Sequence, residues 1–213
     1  MKRLRFSLFI LFTLIVFGAT AKKRILLFDN FTPGTVLMRN GATIDVPLNY
    51  DASNSDMLYI QDGKQNILLN TQEVDTIYID NRKFIPINRA FLEICKLSNG
   101  LLSINWKLKE VFKGYRGAYG QVIQSHVESV NTNAFQPGTS YEQQRVDVTA
   151  CKNKNEYWIV MDGNPKKFTN KKSLFHLFPD YKKELENYWV LNNCSFDKPT
   201  LIIKFVDYCL GLK

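Results

Sequence analysis

Four turn dipeptides govern what this chain can fold into: Asn40-Gly41, Asp62-Gly63, Asp80-Asn81 and Asn99-Gly100. Asn-Gly and Asp-Gly tolerate the positive φ that tight hairpin turns demand. Each dipeptide separates short segments of alternating or β-branched apolar residues, as hairpins require. Leu37 and Arg39 lead into the first turn, and Ile44, Val46 and Leu48 alternate away from it. A two-residue turn there sets Leu37 opposite Ile44. Across Asp62-Gly63, Met57 to Gln61 meets Lys64 to Leu69, with Leu58 opposite Ile67. Thr76 to Ile79 pairs with Lys83 to Ile87, and Phe91 to Leu97 pairs with Leu101 to Val111. Counted from Asn99-Gly100, Cys95 falls opposite Ile104. The turns recur at spacings of 22, 18 and 19 residues, the mark of a repeated supersecondary unit. Residues 35 to 110 therefore predict an antiparallel meander of about eight strands, closed as a partial barrel, folded as a sandwich or left as an open sheet.

Beyond this train the chain changes period. Residues 112 to 144 hold Lys113-Gly114-Tyr115-Arg116-Gly117-Ala118-Tyr119-Gly120 and then a polar tract, which reads as a long loop with one short strand near Val122 to Val130. Arg145 to Cys151 and Tyr157 to Met161 are two more strands, and Asp162-Gly163 turns the chain back to Phe168. From there the apolar period moves from two to about 3.6. Asn170 caps a short helix carrying Leu174, Phe175, Leu177 and Phe178, and Pro179 ends it. A second helix runs from Asp180 to about Leu191. A third starts near Asp197, has Pro199 in its first turn, and bears the stripe Ile202, Phe205, Val206, Cys209 and Leu212. Strands first and helices after predict an α+β fold: a β-rich region over 22–167 and a three-helix cap over 168–213 packed on the sheet.

The first 21 residues are read as an address. Lys2, Arg3 and Arg5 precede an apolar run from Leu8 to Phe17, and Ala19 and Ala21 supply the small residues of a cleavage site. This is the layout of a cleavable export signal. The run falls short of the ~20 residues that span a bilayer. The chain is thus expected in the periplasm or outside the cell, and not as an integral membrane protein. The 192 residues after Ala21 are enough for a core without staples. Of the net +8, the leader carries three charges. The remaining +5 is local: residues 152 to 183 hold eight lysines against Glu156, Asp162 and Asp180. Such a cluster meets a phosphate-bearing or acidic partner, or serves as a solvated face. Nothing in it points to nucleic acid.

The chemistry-bearing residues are sparse. Tyr115, Arg116 and Tyr119 form the candidate ligand site, offering aromatic faces and a guanidinium to a glycan, a lipid headgroup or an envelope protein. The segment is neither a phosphate loop nor a dinucleotide fingerprint. His126 and His176 lie far apart, and no metal, cofactor or catalytic set is expected. His176 falls between apolar pairs and reads as half-buried. Cys95 and Cys209 lie on apolar faces. Cys151 and Cys194 lie at polar element ends, so a single disulfide, if formed, joins these two; four free thiols is the other reading. Asn30-Phe31-Thr32 and Asn193-Cys194-Ser195 match the short glycosylation triplet by chance.

The hairpin train, the Gly-Tyr-Arg-Gly-Ala-Tyr-Gly loop and the helix start Asn-Lys-Lys-Ser-Leu-Phe-His-Leu-Phe-Pro-Asp resemble uncharacterised exported β-rich proteins of Gram-negative, gut-type bacteria. The resemblance implies an envelope location and carries no activity. The expected function is a non-enzymatic binding or interaction module, with a hydrolase of an envelope or extracellular polymer as the alternative. Amino-terminal sequencing of exported material should begin at Lys22; retention of the apolar run in a membrane fraction would refute cleavage.

Overall fold

The computed structural model describes residues 24–116, 121–123 and 147–212. The expected leader, Tyr119 and His126 lie outside the described residues. Eight strands cover the hairpin train: β1 (Thr32–Met38), β2 (Thr43–Asp51), β3 (Asp56–Gln61), β4 (Lys64–Ile67), β5 (Val74–Ile79), β6 (Arg82–Ile87), β7 (Ala90–Lys96) and β8 (Leu101–Asn105). They are followed by β9 (Leu108–Arg116), β10 (Val122–Ile123), β11 (Asp147–Asn153), β12 (Glu156–Met161) and β13 (Asn164–Phe168), then by α1 (Lys171–Phe175), α2 (Lys182–Leu191) and α3 (Pro199–Gly211). The fold is α+β. Ten strands form one open antiparallel sheet in the order β13-β12-β8-β7-β6-β5-β1-β2-β3-β4.

The order departs from a simple meander at one point. β1, not β4, pairs with β5. The first four strands therefore run away from β5 on the far side, and the segment 68–73 carries the chain from the sheet edge back to its middle. Leu68 anchors this crossover: its N–H donates to the Met57 carbonyl at 2.8 Å, and its side chain packs on the core formed by Val36, Tyr50, Ile77 and Phe84.

Two hairpins turn differently from the expected two-residue form. At the first, Met38 donates to Ala42 at 2.8 Å and Gly41 donates to Met38 at 2.9 Å. The loop is thus Arg39-Asn40-Gly41, with Gly41 at φ +89°, the three-residue hairpin with a left-handed closing residue. This moves the register by one: Val36 faces Ile44, and Leu37 faces Thr43. At the fourth, Leu97 donates to Gly100 at 2.9 Å, so Ser98-Asn99 is the turn. Cys95 then pairs with Leu102, and Glu93 with Ile104. Asp62-Gly63 keeps the two-residue form, with φ of 52° and 70°, and Leu58 does face Ile67.

These registers align one transverse row of side chains across seven strands: Val36, Ile77, Phe84, Glu93, Ile104, Tyr157 and Phe168. Directly opposed residues share a face, and every member of the row is buried. Two cores lie along it. Val36, Ile77 and Phe84 belong to the first, with Leu48, Tyr50, Met57 and Ile79. Ile104, Tyr157 and Phe168 belong to the second, where Leu174, Leu185, Ile202, Phe205, Val206 and Cys209 of the helices cover the sheet. Trp106 packs against both.

The expected loop after residue 112 is in part a strand. β9 continues to Arg116 and pairs with β11 and β10 as a separate three-stranded arm. A register shift at Val148/Thr149 faces Gly114, whose φ of +139° accommodates the bulge.

The turn geometry separates two glycine substitutions. Gly41→Val forces a β-branched residue to positive φ and should cost about 1–3 kcal/mol. Gly100 is not at positive φ, and an added Cβ there meets only the flexible end of Leu210 at 3.1 Å. Gly100→Ala should cost under about 1 kcal/mol. Chemical denaturation of both variants checks the ordering; equal losses would contradict the turn assignments.

Candidate functional site

The lysine cluster seen in the sequence divides into three structural settings. β13 is an edge strand, and its Pro165, Lys166 and Lys167 suit an edge that must not recruit another strand. Lys167 and Lys107 close on Glu156, each with Nζ 2.7 Å from a different carboxylate oxygen. Burial alone raises the Glu156 pKa, but the hydrogen bonds and charges of these two lysines outweigh it and hold the carboxyl below its ordinary range. Lys167 also lies over the Trp158 ring at 5.2 Å.

The third setting is a groove where β13 runs into the helices. Asn170 starts α1 by a capping box: its side chain accepts from the Ser173 N–H at 2.8 Å, and its own N–H donates to Ser173 Oγ at 3.2 Å. Pro179 opens a 3-10 turn, Pro179–Tyr181, and α2 follows in a new direction. Because α1 is only five residues long, its apolar face does not close over the junction. Phe175, Leu177 and Pro179 are left lining a groove of about 990 Å³, with Lys167, Lys171, Lys172, Lys182, His176 and Glu186 around it. Phe175 is braced from beneath by Phe205 at 5.8 Å and Trp189 at 5.9 Å.

The charges around this groove are not equivalent. Lys171 bonds to Glu186, the one carboxylate in the lining, and its ammonium lies 5.0 Å from the Phe175 ring centre and 5.3 Å from that of Trp189. Lys167 is held by Glu156. Lys172 and Lys182 are exposed, and no ion pair joins either to a carboxylate among the described residues. The groove thus combines an apolar floor with two uncommitted ammonium groups. That arrangement suits an anion carrying apolar substance. His176 is the carboxy-terminal cap residue of α1 and is exposed, not half-buried; the helix ends before a second apolar turn can cover it.

Tyr115 and Arg116, the residues singled out from the sequence, are the last two of β9. Tyr115 pairs with Ile123 on one side and Asp147 on the other, and Arg116 with Val122. Phe112 meets Tyr115 edge-to-face at 5.0 Å. They lie on the arm, in a different sheet from the strand that leads into the lysine groove. Tyr119, the third residue of that set, lies outside the described residues.

A second recess, of about 790 Å³, lies beside the crossover segment and is lined by Arg39, Asp56, Glu73 and Arg89 among others. Burial, with the neighbouring Asp51 charge, raises the Asp56 pKa. Asp51 itself is spent on its own turn, accepting from the Ser53 N–H, Ser53 Oγ and Asn54 Nδ2. Among the described residues no group of three or more His, Cys, Asp or Glu is placed to hold a metal.

All four cysteines are free. Cys151 is exposed on β11, but Cys194 is buried, not at an exposed end. The chain leaving α2 turns inward there, and the Cys194 N–H donates to the Trp189 carbonyl at 3.0 Å. Burial pushes the thiols of Cys95 and Cys209 up to about 12, so both stay protonated and unreactive at neutral pH.

No protein-family model, curated protein or solved structure matches this chain. Among the described residues no helix is long and apolar enough to cross a membrane.

The groove was legible only in pieces. The lysine count and the Asn170 cap are plain in the sequence. That Pro179 stops α1 short enough to leave Phe175 and Leu177 at an open lip depends on where α2 packs.

Glu156 supplies a pH test. A carboxyl held below its ordinary pKa stabilises the fold above the unfolded value of ~4.3 and loses that contribution as pH falls through its folded value. Glu156→Gln should cost about 1 kcal/mol at neutral pH. The gap to the unsubstituted protein should close on acidification below pH ~4, followed by urea midpoints. A gap that persists at low pH would refute the ion-pair account.

Proposed function

We propose that this chain is an exported, non-enzymatic binding module of the cell envelope, and that its binding face is the lysine-rimmed groove between β13, α1 and α2. The observation that carries this reading is the pairing of an apolar floor (Phe175, Leu177 and Pro179) with the uncommitted Lys172 and Lys182. The floor removes apolar ligand surface from water, and the lysines supply direction and charge selectivity. The groove's only carboxylate is already engaged by Lys171. Export follows from the basic, apolar and small-residue layout of residues 1 to 21. Tyr115 and Arg116 stand on the arm as a separate contact surface for a glycan or an envelope protein.

Trp189 lies against Phe175 and Lys171 and Trp158 against Lys167, so tryptophan emission provides the assay. Dodecyl phosphate, added below its micelle concentration, should bind and perturb the emission. Dodecanol, lacking the charge, and inorganic phosphate, lacking the chain, should each bind at least tenfold more weakly. Lys172→Glu with Lys182→Glu should remove the preference for the phosphate. Equal affinity for dodecanol and dodecyl phosphate would defeat the proposal.

A further inference from the structure

The groove's surroundings indicate which source presents the anion. After Arg145 the chain contains no further arginine, and all eleven basic residues that follow are lysines. Arginine is the residue suited to planar, two-point recognition of one fixed carboxylate or phosphate; lysine is a compact point charge on a flexible stem. Lysine also binds phosphate as a point charge, so a surface built only from lysines suits phosphate groups whose positions vary. The positive excess is also confined. Residues 152 to 183 carry a net +5, and the rest of the chain after Ala21 balances to zero. Four of these lysines, Lys167, Lys171, Lys172 and Lys182, line the groove against the single carboxylate of Glu186, so the groove favours a negative surface.

Apolar exposure continues from the groove along α2. Lys182, Glu186 and Val190 follow at four-residue steps and so share one side of the helix. Val190 is 68% exposed, and Leu191 beside it is 80% exposed. Asp180 and Glu184 are exposed on the same elements but do not line the groove. Binding at a membrane interface grows with the apolar area it buries and with electrostatic attraction to anionic lipids, and this end of the molecule offers both.

We propose that the occupant of the groove is an anionic lipid bilayer surface, with Lys172 and Lys182 at the headgroup phosphates and Leu177, Pro179 and Val190 at the interfacial boundary. This rests on the reading of the groove as an anion-binding face and names what that face meets. Attachment is peripheral, through the face that the groove and Val190 form.

The test uses the chain from Lys22 onward, which keeps every described residue and removes the apolar leader as a source of lipid affinity. Vesicles of phosphatidylglycerol and phosphatidylcholine in equal parts should sediment the protein, and vesicles of phosphatidylcholine alone should not. Raising salt toward ~1 M, where the screening length falls to ~3 Å, should release it. Lys172→Gln with Lys182→Gln should weaken partitioning roughly thirtyfold. Lys64→Gln with Lys83→Gln, exposed on β4 and β6, removes the same charge elsewhere and should leave it within about twofold. Equal weakening by both pairs would overturn the proposal, because attachment would then follow net charge alone. If dodecyl phosphate binds and the vesicles do not, the bilayer is overturned and the anion-binding groove stands. If neither binds, both readings fall. Tighter capture of a glutamate-rich peptide than of the anionic vesicles would overturn the bilayer in favour of a protein partner.

Discussion

Glu93 is the one charged residue in a row of buried side chains that crosses seven strands, and the two halves of the molecule meet at it. On one side of it Phe84, Ile77 and Val36 lie under the curl of the sheet; on the other Ile104, Tyr157 and Phe168 lie under the helices. Arg82 meets it with two bonds, Nε to Oε1 at 2.8 Å and Nη2 to Oε2 at 2.6 Å, and Trp106 donates its indole N–H to Oε2 at 2.5 Å. The guanidinium lies within 5.4 Å of the ring centres of Phe28, Phe84 and Trp106. Arg82 thus lies among three aromatic faces with its fork on one carboxylate, and Glu93 is the more buried of the two charges. Loss of Arg82 leaves the Glu93 carboxylate buried without its cation, which typically costs about 3–5 kcal/mol. An apolar residue at 93 would pack, but it would not fix where Trp106 sits, and Trp106 touches both cores.

Buried amides perform the same service where the chain leaves the sheet. Asn49 is fully buried and binds the amino-terminal segment along β2: its side chain accepts from the Phe28 N–H at 3.2 Å and donates to the Phe28 and Asn30 carbonyls. That places Phe28 over Arg82. Asn105, at the end of β8, accepts from the Tyr50 hydroxyl at 3.2 Å and from Ser55 Oγ at 3.0 Å, which ties β2 to a strand five places away in the sheet order. Burial pushes the Tyr50 hydroxyl up to about 12, so it remains a donor at any physiological pH. These bonds span 50 or more residues of sequence and hold the curl that the first core fills.

At the helical end, polar chemistry is spent at two levels. Glu156 pairs with both Lys107 and Lys167, and Glu186 with Lys171. Lys172 and Lys182 are left at the groove, which α1 is too short to cover. A longer helix would have buried Phe175 and Leu177 and removed the groove, so the uncommitted charges and the apolar lip share one cause: the proline at 179.

The sequence by itself determined the local features. Asp62-Gly63 and Asp162-Gly163 specify two-residue turns, the 3.6-residue stripe of α3 names Ile202, Phe205, Val206 and Cys209, which are all buried, and Asn170 with Ser173 starts α1. Each is written in residues no more than a few positions apart, where backbone sterics and hydrogen-bond reach decide the outcome. Register at the first and fourth turns was misread because Asn-Gly also fits a three-residue loop or the flank of a neighbouring turn, and the choice is made by which side chains the partner strands can bury. That β1 joins β5, that Glu93 falls on the buried row, that Cys194 turns inward, and that lysines from β13, α1 and α2 surround one apolar floor were decided only by tertiary packing. These depend on pairings between distant segments, whose free energy comes from a common buried surface and not from the residues of either segment alone.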